Sequence, residues 1–461
     1  MTTRTTTPSR GAMLAVLLTG QFMANVDTAV ANIAAPALQT DLHATEGQAA
    51  LVVSAYVVAF AVLLVTGARL GSSLGYRRVF LTGLQLFTLA SLACGLAPDI
   101  RTLTAARFLQ GAGAALMVPQ VLSGIQLSYA GRDRVKALGW FSIALSGGAV
   151  AGQVLGGVLI SVDLFGTSWR PIFLVNVPIG IALTVAGLRH LDPARGTKQP
   201  LDARGVLTLS ATVLLVIVPL LLGSERGWPA WSWISLALSL PALALFEYGE
   251  RRAAASGGRP LIARQVLRNP RVRAGLLAHG ATTGSYFALL FVLALYLQQG
   301  LGKSPAYSGL AMVVWVAAFG LAGPLLPRLP EGIRWLPVLG CAILGTGYLA
   351  VLAYLLAGGT SGPLLFALLG VGGLGLGISA NTLIGGITGS MPTQYAADLS
   401  GVVATNAQLS GAFGVALAGA VYSSLSTDAQ HALSVVLVGF AALSLIGALA
   451  ARRLVRADYG Q

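Results

Sequence analysis

Leu103-Thr-Ala-Ala-Arg107-Phe-Leu-Gln110-Gly111-Ala-Gly113-Ala-Ala-Leu-Met-Val-Pro119 is apolar enough to cross a bilayer, yet it carries a guanidinium and an amide one turn apart on a single helix face. Small residues, Gly111, Gly113, Ala114 and Ala115, follow at once and let a neighbouring helix approach closely. An ionisable group inside a membrane helix is expensive, so it faces a cavity or a partner unless it snorkels from a helix end. The rest of the chain favours the cavity.

Of 461 residues, 55% are hydrophobic and only 10% charged, against about 25% charged in a soluble domain. With a mean hydropathy of +0.78, the composition is that of an all-α polytopic membrane protein. Most of the 58 glycines fall inside apolar runs, as tightly packed membrane helices require. Cys94 and Cys341 both lie in apolar segments, which suggests neither a disulfide framework nor a metal site. The net charge of +14 is scattered over short loops, the footprint of the positive-inside rule rather than of a nucleic-acid-binding face.

Runs of bilayer-spanning length occur fourteen times: six between Gly11 and Leu188, then Val206–Leu222 and Trp231–Tyr248, then six between Ala274 and Ala451. With the N-terminus cytoplasmic, 24 of the 29 Lys and Arg fall on the cytoplasmic side and four outside, and Arg107 lies in the membrane. Both termini are thus expected in the cytoplasm of a bacterial-type cell membrane. The expected organisation is a six-helix bundle over 1–190, cytoplasmic linkers with an inserted helix pair over 191–271, and a second six-helix bundle over 272–461. The linker Gly249–Arg273 is rich in Arg; it either rests on anionic headgroups or simply obeys the charge rule.

Several separated motifs resemble the fourteen-helix drug:proton antiporter branch of the major facilitator superfamily. They are Asp27-Thr-Ala-Val-Ala-Asn32-Ile-Ala-Ala-Pro36, Ser54-Ala-Tyr56, the opening stretch, and Trp169-Arg-Pro-Ile-Phe173-Leu-Val-Asn176-Val-Pro178-Ile-Gly180. Tyr296-Leu-Gln298 with Gly302-Lys-Ser-Pro305, and Asn406-Ala-Gln408-Leu-Ser-Gly411-Ala-Phe-Gly414, extend the resemblance over essentially the whole chain. It implies two six-helix bundles that rock around a midplane site, a small-molecule substrate, protons and membrane lipids as partners, no cofactor and a monomer.

Two motifs depart from the branch pattern. Where the family has Gly-Arg-Leu-Gly-Asp-Arg-x-Gly-Arg-Arg, this chain has Ala68-Arg69-Leu70-Gly71-Ser72-Ser73-Leu74-Gly75-Tyr76-Arg77-Arg78, so Ser72 replaces a carboxylate. A hydroxyl supplies no Coulomb attraction, and the closed cytoplasmic side is then held more weakly or by other contacts. The antiporter motif of the fifth span reads Gly148-Ala-Val-Ala-Gly152-Gln153-Val-Leu-Gly156-Gly157, with Gln153 in place of proline. Its glycines keep close packing available, and the Gln153 amide must either line the path or bond to another helix.

Of the fifteen Asp and Glu, only Asp27 falls well inside a span. Desolvation disfavours the charged form of a lone carboxylate at mid-membrane, which suits it to load and release a proton; the alternative is a structural acid satisfied by its neighbours. Measured from the apolar ends Leu38 and Leu103, Asp27 lies about 16 Å inward and Arg107 about 6 Å. On that count the two couple through a shared cavity, not as a direct pair, and Asp27→Asn leaves folding intact. Gln110, Gln153, His279, Tyr286, Asn381, Asn406 and Gln408 are candidates to line a substrate cavity, while Ser72, Arg77, Arg78, Gly148, Gly152, Gly156 and Gly157 belong to the conformational motifs. No phosphate loop, metal-spaced His/Cys set or nucleophile–base pair points to an enzyme.

The expected function is proton-coupled efflux of small amphipathic drugs or antibiotics. The alternatives are a dedicated exporter of one metabolite or self-made antibiotic, and an uncoupled facilitator or importer. The topology is open to direct test on a background lacking Cys94 and Cys341. Single cysteines at Arg226 and Lys303 should react with an impermeant thiol reagent from outside, whereas those at Lys198 and Arg259 should not; the opposite pattern refutes the fourteen-span count.

Overall fold

The computed structural model describes residues 10–162, 167–192, 203–223, 227–255, 264–303, 305–329, 333–425 and 427–456, and among them there is no strand. The helices of the first part are α1 (Arg10–Asp41), α2 (Glu46–Leu74), α3 (Tyr76–Gly95), α4 (Ile100–Ser128) and α5 (Gly131–Val162), with a sixth span made of α6 (Pro171–Leu174) and α7 (Asn176–His190). Then come α8 (Ala203–Leu222), α9 (Ala230–Ala255), the short α10 (Arg264–Arg268), and α11 (Pro270–Leu295), which ends in a π turn, Tyr296–Gly300. The last five are α12 (Pro305–Leu325), α13 (Leu336–Leu356), α14 (Pro363–Gly389), α15 (Ala396–Ser424) and α16 (Ala429–Arg456). Among the described residues thirteen stretches are long and apolar enough to cross a membrane, and α8 adds a shorter apolar one, Arg204–Leu220.

Local chemistry sets the helix ends. Thr45 caps α2 reciprocally with Gln48, and the Asp99 carboxylate accepts the backbone N–H groups of Arg101 and Thr102 at the start of α4. Asn269 does the same for α11, with Pro270 in the first turn where its missing N–H costs nothing. Gly75, at φ +92°, separates α2 from α3, a backbone state that a side chain would resist.

Two compact units result. The first comprises Met1–Ala130, Ala151–Leu201 and Ala396–Gly401; the second comprises Gly131–Val150, Asp202–Tyr395 and Val402–Gln461. In the first, α4 lies against both α2 and α3 at backbone contact. A Cβ at Gly111 would meet the Tyr56 carbonyl at 2.3 Å, one at Gly113 the Phe87 nitrogen at 2.6 Å, and one at Gly83 the Met117 nitrogen at 2.7 Å. The second unit repeats this around α14. There Gly373 meets the Trp315 carbonyl of α12 at 2.2 Å, Gly375 the Leu344 nitrogen of α13 at 2.3 Å, and Gly340 the Ser379 nitrogen at 2.4 Å. The three contacts share one register, so α4 and α14 are equivalent helices of an internal repeat. The inserted helices α8 and α9 pack chiefly on each other, with Ser235 of α9 donating to the Leu215 carbonyl of α8 at 2.9 Å.

The far end of α1 is tied down by charge. Asp41 accepts from Arg170 Nη1 at 2.7 Å and from Trp169 Nε1 at 2.9 Å, and Trp169 itself is fully buried. Partial burial alone would raise the Asp41 pKa, but the hydrogen bonds from Arg170 and Trp169 outweigh it and hold the carboxyl below its ordinary value. A depressed folded-state pKa gives stability that is complete above the ordinary carboxylate value of about 3.9 and is lost as the pH falls below it. Asp41→Asn should therefore lower stability by about 1 kcal/mol or less, equally at pH 5 and pH 8. Thermal unfolding in detergent at both pH values checks this, and a difference that changes across that window contradicts it.

Candidate functional site: a buried ion pair

Within the first unit, α1, α2, α3, α4 and α7 converge on Asp27. Its Oδ2 accepts from Arg107 Nη1 at 2.6 Å. Its Oδ1 accepts from Gln110 Nε2 at 2.7 Å and from Asn176 Nδ2 at 3.1 Å. Arg107 also donates to Gln110 Oε1 at 2.8 Å and, through Nε, to the Val52 carbonyl at 3.4 Å. Gln110 Nε2 reaches Ser91 Oγ at 2.8 Å, which in turn donates to the Phe87 carbonyl. Above and beside the guanidinium sit the rings of Tyr56, 4.4 Å from its carbon, and Phe173, at 5.5 Å. Arg107 and Gln110 are fully buried, and Asp27 and Asn176 are 1% exposed.

This direct pair corrects the depth count made from the apolar ends. Gly20 of α1 lies beside Met117 of α4, and Asp27 beside Gln110, a register that sets Leu38 level with Asp99 rather than with Leu103. Four residues are about 6 Å of helix, so most of the apparent gap vanishes and the long Arg107 side chain spans the rest. Hydropathy shows where a helix becomes apolar, not how far it slides against its neighbour. Gly152 of α5 closes the site from another side: a Cβ there would meet the Val26 carbonyl and the Ala29 methyl, each at 2.7 Å.

The second unit gathers a different set. His279 Nδ1 lies 3.2 Å from Asn406 Nδ2, which also donates to the Leu276 carbonyl. Asn381 donates to the Gly377 carbonyl and accepts from Ser142 of α5 at 2.9 Å. Tyr286 stacks on Phe319, ring centres 6.3 Å apart and planes 13° apart, and meets Phe287 at a tilt. Because the Phe319 carbonyl lies against Gly377, Asn381 and Tyr286 share one neighbourhood, while His279 and Asn406 form another. Gln408 is half-buried on α15. Gln153 and Gly157 fall within α5, but their surroundings lie outside the described residues; Gly148 and Gly156 are buried.

At the α2–α3 corner, Ser72 Oγ bonds back to the Arg69 carbonyl of its own helix. Arg69 instead pairs at 2.9 Å with Asp398, from the first turn of α15, and both are largely buried. Arg77 donates to the Leu188 carbonyl at 2.6 Å, and Arg78 is exposed. Asp398 is a residue that sequence reasoning passed over as a helix-end acid. Asn176 and Tyr56 were also visible only as parts of motifs; a polar amide in an otherwise apolar span was the available signal for Asn176.

The register of the internal repeat makes one comparison decisive. Leu369 of α14 occupies the place of Arg107, and Gly372 that of Gln110. Neither α11 nor α14 carries an Asp or Glu. The same packing therefore stands around α14 with Leu369 and Gly372 where α4 has Arg107 and Gln110.

Apolar helices of membrane-spanning length, with one glycine packing scheme repeated around α4 and α14, are the architecture of a membrane transporter. The chain belongs to the Major Facilitator Superfamily, whose pattern matches residues 17–415. It is 36% identical over 422 residues to a Streptomyces coelicolor protein named "Probable actinorhodin transporter", covering 90% of this chain and 73% of that protein. It is 37% identical to the cephamycin export protein of Amycolatopsis lactamdurans over 90% of this chain and 85% of that one. With the methylenomycin A resistance protein of Streptomyces coelicolor the identity is 30%, over 96% and 92%. The fold is shared with the proton:xylose symporter XylE at a TM-score of 0.65 and 14% identity, covering 95% of this chain and 94% of that chain. It is also shared with the human organic anion transporter MFSD10, at 0.68 and 15%, covering 96% and 100%. These relatives are transporters, not enzymes.

The direct pair reverses the expectation for Asp27→Asn. Removing one partner strands the other as an unpaired buried charge, which costs about 3–5 kcal/mol. The double variant Asp27→Asn with Arg107→Gln should recover most of that loss. Unfolding of the purified variants in detergent reads it out, and a single variant as stable as the wild type would contradict the pair.

Proposed function

We propose that this protein exports an antibiotic or similar small amphipathic compound from a bacterial cell, in exchange for protons, by alternating access. The observation that carries the proposal is the Asp27–Arg107–Gln110–Asn176 cluster, a buried charge assembly that the packing scheme does not need, since the equivalent place around α14 holds Leu369 and Gly372. An expensive feature without a structural necessity is best explained by function.

In this mechanism Asp27 carries the coupling proton. Its carboxylate is held by three donors, so protonation requires that at least one of them let go. Release of Arg107 toward its other acceptors, Gln110 and the Val52 carbonyl, gives the pair a second arrangement. That exchange couples the charge state of α1 to the position of α4, and Gly152 transmits the shift to α5. Residues 1–190 and 272–461 are the moving halves, with 191–271 as an insertion, both termini in the cytoplasm and the protein acting as a monomer. The aromatic and amide groups of the second unit, Tyr286, Phe319 and Asn381, offer stacking and hydrogen bonding to a flat, largely apolar ligand.

A narrower reading has its own support: the three Streptomyces and Amycolatopsis relatives above are each named for one antibiotic, which favours a dedicated exporter. Growth of an efflux-deficient host across a panel of antibiotics separates the two, as protection against several unrelated compounds excludes a dedicated role.

Proton coupling is tested in liposomes with an imposed pH gradient. Wild-type protein should accumulate substrate uphill, and a protonophore should abolish this. Asp27→Asn, confirmed as folded by size exclusion, should retain substrate-for-substrate exchange and lose uphill transport. Undiminished uphill transport by the folded variant means that the proton rides elsewhere, with His279 the next candidate.

A further inference from the structure

A groove of about 610 Å³ opens on the flank of the second unit between α11 and α16. Ala274 and Leu277 of α11 face Ile446, Leu449 and Ala450 of α16 along its walls. Arg273 and Arg453 stand at one end of it, beside Pro270. Arg273 lies in the first turn of α11 and Arg453 in the last turn of α16, so both guanidiniums mark the same end of the two helices.

The groove is therefore graded along its length. Leu277 lies about 6 Å deeper than Arg273, and Leu449 and Ile446 about 6 and 10 Å deeper than Arg453. Leu277, Ile446 and Leu449 are 57%, 45% and 51% exposed, an apolar surface turned toward whatever surrounds the helices. Both arginines are exposed, and neither has a carboxylate or hydrogen-bond partner among the described residues. The backbone N–H groups at the start of α11 are taken by the Asn269 side chain, so the two guanidiniums are the donors at that end.

We infer that this groove binds an anionic glycerophospholipid, whose phosphate sits between Arg273 and Arg453 and whose acyl chain lies along Leu277, Ile446 and Leu449. Charge and shape agree on the occupant. Two uncompensated guanidiniums match phosphate geometry and suit a headgroup with no ammonium of its own. The half-exposed leucines and isoleucine one to two turns deeper require a hydrocarbon neighbour, which free phosphate lacks. Basic pockets between membrane helices at the membrane surface select anionic lipids on the same grounds. The Arg-rich stretch that leads into α11 thus includes at least one side chain with a defined lipid contact.

The test uses the full chain in detergent, with phosphatidylglycerol and phosphatidylcholine of identical acyl chains offered in competition. Native mass spectrometry counts retained lipids, and unfolding with each lipid added reports stabilisation. Wild-type protein should retain phosphatidylglycerol in preference, and Arg273→Gln with Arg453→Gln should cut that preference by about tenfold or more, since even one lost charge-assisted hydrogen bond has that effect. Arg452→Gln, which removes one charge a single residue outside the groove, should leave the preference intact, and Arg453→Gln alone, the matching single loss inside it, should lower it. Glycerol phosphate at millimolar concentration should not displace the lipid. Equal retention of the two lipids by wild type, an unaltered preference in the double variant, or a loss in Arg452→Gln equal to that in Arg453→Gln overturns the inference. Displacement by glycerol phosphate shows a phosphate site without a lipid. If the double variant unfolds without lipid at a different temperature from the wild type, Leu277→Asn with Leu449→Asn replaces it and should weaken retention through the tail alone; unchanged retention in that variant also overturns the inference.

Discussion

A guanidinium and a carboxylate 2.6 Å apart, deep among apolar helices, are the constraint that the polar groups at the centre of the first unit must satisfy. Neither charge is tolerable there alone. Every element nearby contributes to making the pair tolerable: an amide from α4, a second amide from α7, a carbonyl from α2, a hydroxyl from α3 and two aromatic faces. The glycines do the complementary work. By bringing backbones to contact at Gly111, Gly113 and Gly152, they place those groups near enough to serve without leaving room for bulk water.

How much of this was legible in the sequence depends on what kind of information each feature requires. Span number, helix order and the role of small residues on α4 follow from composition and periodicity, which are local properties. Arg107 and Gln110 announced themselves as polar residues on one face of an apolar helix. The Asp27–Arg107 contact did not, because it depends on the sliding register of α1 against α4, and that is fixed by the pairing of Gly20 with Met117, residues far apart in the chain. Asn176 was hidden by the same non-locality. Asp398 was hidden by its ordinary address in the first turn of a helix, where an acid is favoured by the helix dipole and excites no notice.

The corner where the family's loop carboxylate is absent shows a related economy. Ser72 is occupied with its own helix, and the charge that Arg69 calls for arrives from Asp398, 329 residues away. Losing an acid from one motif does not empty the corner of negative charge. It moves the source of that charge onto a different helix, α15, whose first turn lies in the first unit and whose remainder lies in the second.

The repeat of the α4 packing around α14 has a consequence for how such a protein can change over time. Two helices hold equivalent positions, but only one is burdened with a charge assembly that tolerates little substitution. Around α14 the close contacts are steric, with glycines that must stay small where Trp315, Leu344 and Ser379 press against them, and Asn381 adds a neutral hydrogen bond with Ser142. Under the antiport mechanism proposed above this is a division of labour, which assigns energy conversion to the first unit and ligand fit to the second. A lineage can then acquire a new cargo by rewriting the lining of one half, without retuning the machinery that drives it.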